Sequence, residues 1–383
     1  MNKFLITLVA AMSLLVANIA SADVKISGMT GALASMGDKV DGGITSKFNR
    51  FQFTADATMD NGWTYSGFFA TEIVAAGTRS FALPTSNGVS IGTGFATISI
   101  GSVADAATAL VPRIGAMVPG GGHDAGYQFL SGGDTKWGAS GVAGQVGFAE
   151  AYYAYNASRI NVALPSVNGF TVNASYTPAM DMNEGAGNAR TNNKNSNRHG
   201  ETTHIAAAYA GEMDGMSYTI AAASISGNSE GNPLVDQTLP GNNNDLTVFT
   251  AAVKVSMGNI TVGAHMYDNG DSFGAANDAD KAANSGYTVS MEYGMGNITL
   301  GIGIAHQEKT MGTRAATADT KAGVGVAGNV YEDDITMFGV GYNMGGGVNS
   351  FVQYNAGSVS DGNHVTVADK DPSVLSMGIT LGF

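Results

Sequence analysis

Leu375-Ser376-Met377-Gly378-Ile379-Thr380-Leu381-Gly382-Phe383 ends the chain with a large apolar side chain at every second position and a small or polar one between. A helix would scatter these residues around its axis. An extended strand places Leu375, Met377, Ile379, Leu381 and Phe383 on one face and the rest on the other. The pattern recurs upstream. Phe170, Val172, Ala174 and Tyr176 alternate with Thr171, Asn173, Ser175 and Thr177. Ile260, Val262, Ala264 and Met266 alternate with Thr261, Gly263 and His265, and Ile298, Leu300, Ile302 and Ile304 with Thr299, Gly301 and Gly303.

Alternation alone also fits a soluble sandwich, whose polar face meets water. Two features favour a barrel in lipid. The polar positions are small and mostly uncharged, and aromatics recur near strand ends at Trp63, Tyr65, Tyr153, Tyr176, Tyr209, Tyr218, Tyr267, Tyr287, Tyr293 and Tyr342, as in interfacial girdles. Composition agrees: charged residues make up only 13% of the 383 residues, against roughly 25% in soluble domains. There is no Cys, so neither disulfides nor thiolate metal sites hold the fold. A net charge of −13 argues against nucleic acid as a partner. Residues 1–22 read as a cleaved export signal, with Lys3, an apolar run from Phe4 to Val16 and Ala20-Ser21-Ala22 before the cut. Residues 23–383 then form a single unit, because no Pro-rich, Ser-rich or charged linker divides them.

Connections alternate between short and long. Turn signals stand at residues 60–62, 92–94, 165–168, 211–215, 257–259, 295–297 and 344–347. Longer polar segments cover residues 34–45, 74–79, 103–150, 178–202, 227–245, 268–285, 307–333 and 357–373. Seven short and eight long connections join sixteen strands, beginning near Val24, Ser46, Trp63, Ser80, Phe95, Ala151, Gly169, Thr203, Ser217, Leu246, Ile260, Gly286, Ile298, Asp334, Val348 and Val374. An even count lets the last strand pair with the first. The expected fold class is all-β: a sixteen-stranded antiparallel transmembrane β-barrel, exported to an outer membrane and surrounded by its lipids.

Alternation also assigns the lumen. Val24 and Ile26 outward place Lys25 inward; Phe51, Phe53 and Ala55 outward place Arg50 inward. Arg159 and Lys254 follow from their neighbours in the same way. A charge on the lipid face costs about 2–4 kcal/mol at mid-membrane, so the inward assignment is the cheaper one.

Gly94-Phe95-Ala96-Thr97-Ile98-Ser99-Ile100-Gly101-Ser102 resembles the strand that leads into the third loop of Gram-negative general porins, and Tyr152-Tyr153-Ala154-Tyr155-Asn156 resembles the return strand. The terminal Leu381-Gly382-Phe383 resembles the signature read by the barrel-insertion machinery. The resemblance implies a homotrimer and an inward-folded third loop whose carboxylates face basic wall residues across a constriction. That loop is residues 103–150, carrying Asp105, Asp124, Asp134 and Glu150 with Arg113 and Lys136. The facing wall residues would be Lys25, Arg50, Arg159 and Lys254. The family's basic cluster is not cleanly reproduced, since Arg50 and Arg79 are the only arginines on the early strands.

No enzyme, cofactor or metal is expected. Gly227-Asn228-Ser229-Glu230-Gly231 spells a nucleophile elbow and Gly323-Val324-Gly325-Val326-Ala327-Gly328 a dinucleotide fingerprint, but both lack the strand-to-helix context. His199 and His204 lack metalloprotease spacing. Asp268, Asp271, Asp278 and Asp280, or Asp333 and Asp334, match no EF-hand and read as solvated charge. The expected function is passive diffusion of small hydrophilic solutes and ions. The alternatives are a substrate-specific channel and a non-channel surface β protein. The long segments should face outward from the cell. An epitope inserted between residues 188 and 198 should label on intact cells and one at Asn259 should not; the reverse pattern would invert the topology.

Overall fold

In hydrocarbon, an isolated strand leaves a row of backbone N–H and C=O groups unpaired at several kcal/mol each, so the sheet must close. It does. The computed structural model describes residues 23–38, 43–72, 86–120, 158–179, 198–230, 245–270, 272, 284–310, 330–361 and 373–383. Among them are sixteen strands: β1 (Asp23–Asp38), β2 (Gly43–Thr58), β3 (Thr64–Glu72), β4 (Ser86–Gly92), β5 (Thr97–Gly101), β6 (Arg159–Ala163), β7 (Phe170–Ala179) and β8 (Arg198–Met213). The second half continues with β9 (Met216–Glu230), β10 (Leu246–Met257), β11 (Ile260–Asp268), β12 (Asn284–Met295), β13 (Ile298–Thr310), β14 (Val330–Gly345), β15 (Val348–Asp361) and β16 (Ser373–Gly382). Every neighbour in sequence is an antiparallel neighbour in space, and β16 pairs with β1 to close the barrel.

The closing seam runs from Met29 opposite Gly382 to Asp38 opposite Ser373. Phe383 extends it: its N–H donates to the Gly28 carbonyl at 3.0 Å and its carbonyl accepts from the Gly28 N–H at 2.9 Å. The Phe383 ring also lies against Phe51, with centroids 5.8 Å apart. At the same end, tight turns join the strands. Asp214 and Gly215 both have positive φ (53° and 77°), the conformation of a type I′ hairpin turn.

The two faces differ as alternation requires. Ile302, Ile304, Phe338, Val352, Met377 and Ile379 are exposed on the outside. Between them, inward-facing Ala305, Gln307, Met337, Gln353 and Ser376 are buried. A continuous exposed apolar surface of this kind suits lipid. Tyr176 and Tyr287 lie outward toward the long-connection end, and Tyr209, Tyr293 and Tyr342 toward the turn end.

Several expectations need adjusting. Tyr267 is not on the girdle: it is buried on the inner face, stacked on His265 and registered against Gly286, whose missing side chain leaves room for the ring. Residues 34–45 are not one long connection, because β1 and β2 run on to leave only residues 39–42 between them. β8 and β14 likewise start earlier than expected, at Arg198 and Val330, because their polar ends still find ladder partners in β9, β13 and β15. β4 starts at Ser86, beyond Pro84, and β6 at Arg159; residues 80–85 and 151–157, which held the expected starts, lie outside the described residues. Gly227 to Glu230 of the elbow-like motif lie in β9 rather than in a loop, and His199 and His204 both lie in β8. The fingerprint-like residues 323–328 lie outside the described residues.

Deleting Phe383 should cost about 2 kcal/mol from its two backbone hydrogen bonds alone. The folded fraction, read from heat-modifiable migration on gels, should fall. An unchanged fraction would show that the seam does not need this residue.

Candidate functional site

After Gly101 the chain leaves the sheet, and residues 102–120 lie against inward-facing side chains of the wall. The first anchor is Asp105. It caps the short helix α1 (Ala106–Leu110): Oδ1 accepts from the Thr108 N–H at 2.8 Å and Oδ2 from the Thr108 hydroxyl at 2.9 Å. The same carboxylate meets two wall residues. Arg159 of β6 donates to Oδ2 at 3.2 Å and to the Val103 carbonyl at 2.9 Å. Nδ1 of His204, on β8, stands 3.2 Å from Oδ1. Ser175 of β7 accepts from the Ala106 N–H at 3.0 Å. Asp105, Arg159 and His204 are all buried.

Burial alone would raise the Asp105 pKa. The contact with His204, the charges of His204 and Arg159 and the Thr108 N–H outweigh it and hold the carboxyl at about 2, below its usual 3.8. Asp105 and Arg159 therefore form a clasp shielded from water. This corrects the expectation that the loop carboxylates face the aqueous lumen, at least for Asp105.

Packing extends from the clasp along the wall. Ala106 and Ala107 cluster with Ala206, Ala223, Ile225, Leu246 and Val248 of β8, β9 and β10, with Leu110 and Val111 against them. Ile114 and Met117 follow, on Ala252. Val118 and Pro119 then lie over Gly301 and Gly339, which pair across β13 and β14. A methyl group at Gly301 would sit 2.5 Å from Pro119 Cδ, so only glycine admits the segment this closely. Gly120 reaches Phe351 and Gln353 of β15.

The other expected site residues divide as follows. Arg113 lies in the docked segment, half-buried. Lys25 pairs with Asp56 at 3.4 Å, and Asp56 also accepts from Ser66 at 2.7 Å. Arg50 donates to Gln52 at 3.2 Å, and Gln52 to Thr54 at 3.2 Å. Lys254, on β10, is exposed and in register with Gly263. Among the described residues of the set, Asp105 and Arg159 are brought together; Lys25 and Arg50 stand on β1 and β2. Asp124, Asp134, Lys136 and Glu150 lie outside the described residues.

Sequence reasoning missed His204, Ser175 and the paired glycines. Glycine at inward positions 301, 303, 339 and 341 of two successive strands was the available signal for a close neighbour. Among the described residues, no three His, Cys, Asp or Glu converge on a metal site. Asp334 instead bonds His306 on the outer face at 2.8 Å, and Asp268 accepts from the Gly270 N–H at 2.8 Å. Asp271, Asp278 and Asp280 lie outside the described residues.

Comparisons with known proteins bear on this arrangement. A family model described as Gram-negative porin matches residues 7–362. No curated protein matches. Among solved structures, an anion-selective porin from Comamonas acidovorans is similar with a TM-score of 0.61 at 11% identity, covering 95% of this chain and 100% of that one. The trimer form of OmpT, an outer membrane protein of Vibrio cholerae, gives 0.59 at 12% identity, covering 95% and 100%. A mutant of Rh. blastica porin gives 0.57 at 18% identity, covering 94% and 100%.

Replacing Asp105 by Asn keeps a capping side chain but removes the carboxylate charge that Arg159 and His204 meet, a change that costs about 3–5 kcal/mol in buried pairs. Amide exchange at Thr108 and Val111 should accelerate in this variant while exchange in β10 and β11 stays slow. The depressed pKa gives the sign of the pH effect. The ionised carboxylate contributes about 2 kcal/mol to docking. That contribution is complete above the ordinary value of 3.8 and lost as pH falls through about 2. Exchange at Thr108 should therefore hold steady down to about pH 4 and accelerate, after correction for intrinsic rates, below it.

Proposed function

The chain belongs to the Gram-negative porin family, and from that premise we propose that this outer-membrane channel protein is a general diffusion porin whose third loop narrows the lumen. The observation that carries the reading is the course of residues 102–120, anchored on β6 by Asp105 and Arg159 and still on the wall at Phe351 of β15. A segment held across so many strands of a sixteen-strand barrel occupies cross-section that solute would otherwise use. Transport is diffusion with no chemical step. In this reading Asp124, Asp134 and Glu150 supply the loop's remaining negative charge, Arg113 and Lys136 moderate it, and Lys25, Arg50 and Lys254 supply positive charge on the wall. The net charge of −13 favours a weak preference for cations.

The same reading takes residues 1–22 as a cleaved signal and assigns assembly to a homotrimer in outer-membrane lipid. It gives Phe383 a second role as the residue recognised by the insertion machinery. Small hydrophilic solutes and ions are the cargo.

Planar-bilayer recording of the mature chain tests this. Wild-type protein should form open, ohmic channels with a reversal potential on the cation side of zero in a potassium chloride gradient. Deleting residues 106–118 should raise single-channel conductance. A variant that still inserts but conducts as wild type would remove the loop from the constriction, and saturable block by a single sugar would replace the general porin with a specific one.

A further inference from the structure

The turn end of the inner wall holds a cavity of about 420 Å³ among the described residues, on the far side of Pro119 and Gly120 from the Asp105 clasp. Its boundary is two-sided. Met29, Met117, Pro119 and Phe351 give an apolar, polarisable lining. Glu292, Thr299 and Asn349 contribute polar groups, and Glu292 is the sole charged side chain lining the cavity among the described residues.

The strand register explains why the space exists. Glu292 on β12 faces Gly301 on β13; Thr299 faces Gly341 on β14, which faces Phe351 on β15. Glycine at 301 lets Pro119 lie close to the wall, and glycine at 341, which lines the cavity, leaves the wall there without a side chain. Pro119 rests over both glycines and roofs the space. Phe351 is fixed from behind by Gly378, where any added side-chain carbon would collide with the ring. Glu292 is half-buried, with no hydrogen-bond or ion-pair partner among the described residues. At the far rim Arg50 is in register with Met29, but it is turned to Gln52.

A carboxylate with no counter-ion among the described residues, an aromatic ring and thioether side chains around one small cavity recognise a particular chemistry. The carboxylate takes an ammonium group, and ring and sulfurs take an apolar body. We propose that this cavity is a wall subsite for small amphipathic organic ammonium ions, with the ammonium on Glu292 and the apolar portion on Phe351, Met117 and Pro119. The inference rests on the porin reading for its meaning in transport, and on the cavity alone for binding. It places a weak holding point for organic cations at one end of the lumen, so passage of such cations should be slowed relative to potassium.

The probe is phenethylammonium chloride, titrated calorimetrically into the detergent-solubilised mature chain. The comparison ligands are 3-phenylpropionate, which reverses the charge on a similar body, and ammonium chloride, which lacks the body. Phenethylammonium should bind saturably in the millimolar range, and neither comparison ligand should. Glu292→Gln should weaken binding by about tenfold, as loss of a charge-assisted hydrogen bond requires. Phe351→Leu should weaken it by about threefold through loss of the aromatic surface on which the ligand's ring stacks. Glu292→Asp, which keeps the charge, should bind with intermediate affinity, and heat-modifiable migration confirms that each variant is folded. In bilayers the same amine should interrupt current more strongly from the turn side than from the other. Absence of saturable binding to wild type overturns the proposal, as does undiminished binding in Glu292→Gln. Binding that survives Phe351→Leu unchanged reduces the site to simple charge pairing and overturns the amphiphile assignment. Binding without channel activity would retain the subsite and remove the porin reading; channel activity without binding would do the reverse.

Discussion

Every backbone amide that faces hydrocarbon needs a partner, and the seam between β1 and β16 is the pairing that closes the sheet on itself. The other strand pairs are joined through neighbouring sequence. This one brings the two ends of the fold together, and it continues one residue past the last strand, where Phe383 and Gly28 exchange both backbone bonds. With the sheet closed there is no edge, and strand alternation then acts around the whole circumference. One set of side chains faces lipid and the other faces the interior.

Closure creates an interior that is not uniformly polar. On β8, β9 and β10 the inward positions include Ala206, Ala223, Ile225, Leu246 and Val248, a dry strip on the inner wall. That strip gives α1 something to bury against. A five-residue helix is too short to hold itself together. Its cap, its buried alanines and the clasp of Asp105 with Arg159 and His204 supply what the helix lacks. Further along, glycine does the opposite work, removing side chains at 301 and 339 so that Pro119 can approach the backbone. Filled and emptied wall positions together set the course of the segment.

The electrostatics follow from the same packing. Asp105 and Arg159 read naturally as opposite sides of a pore field. Once α1 docks they become neighbours, shielded from water, and their charges cancel locally. Lys254 and Glu292, by contrast, stay open on the inner wall.

Strand number, strand type and the face taken by most side chains were legible in the sequence, because a period of two is a local property that each strand carries alone. Turn positions were legible for the same reason: Asp214-Gly215 needs no distant partner to prefer its conformation. Strand ends were not, since β1, β2, β8 and β14 extend wherever a neighbouring strand still offers hydrogen bonds. The buried setting of Tyr267 depends on Gly286 lying opposite it, which register alone decides. The clasp was least accessible of all. Asp105 and Arg159 are 54 positions apart, and His204 lies on a third element; only the closed barrel brings these groups to one point. Sequence fixes which side chains look inward because that is decided residue by residue. Tertiary structure decides which of them meet, because that depends on the stagger of strands distant in the chain.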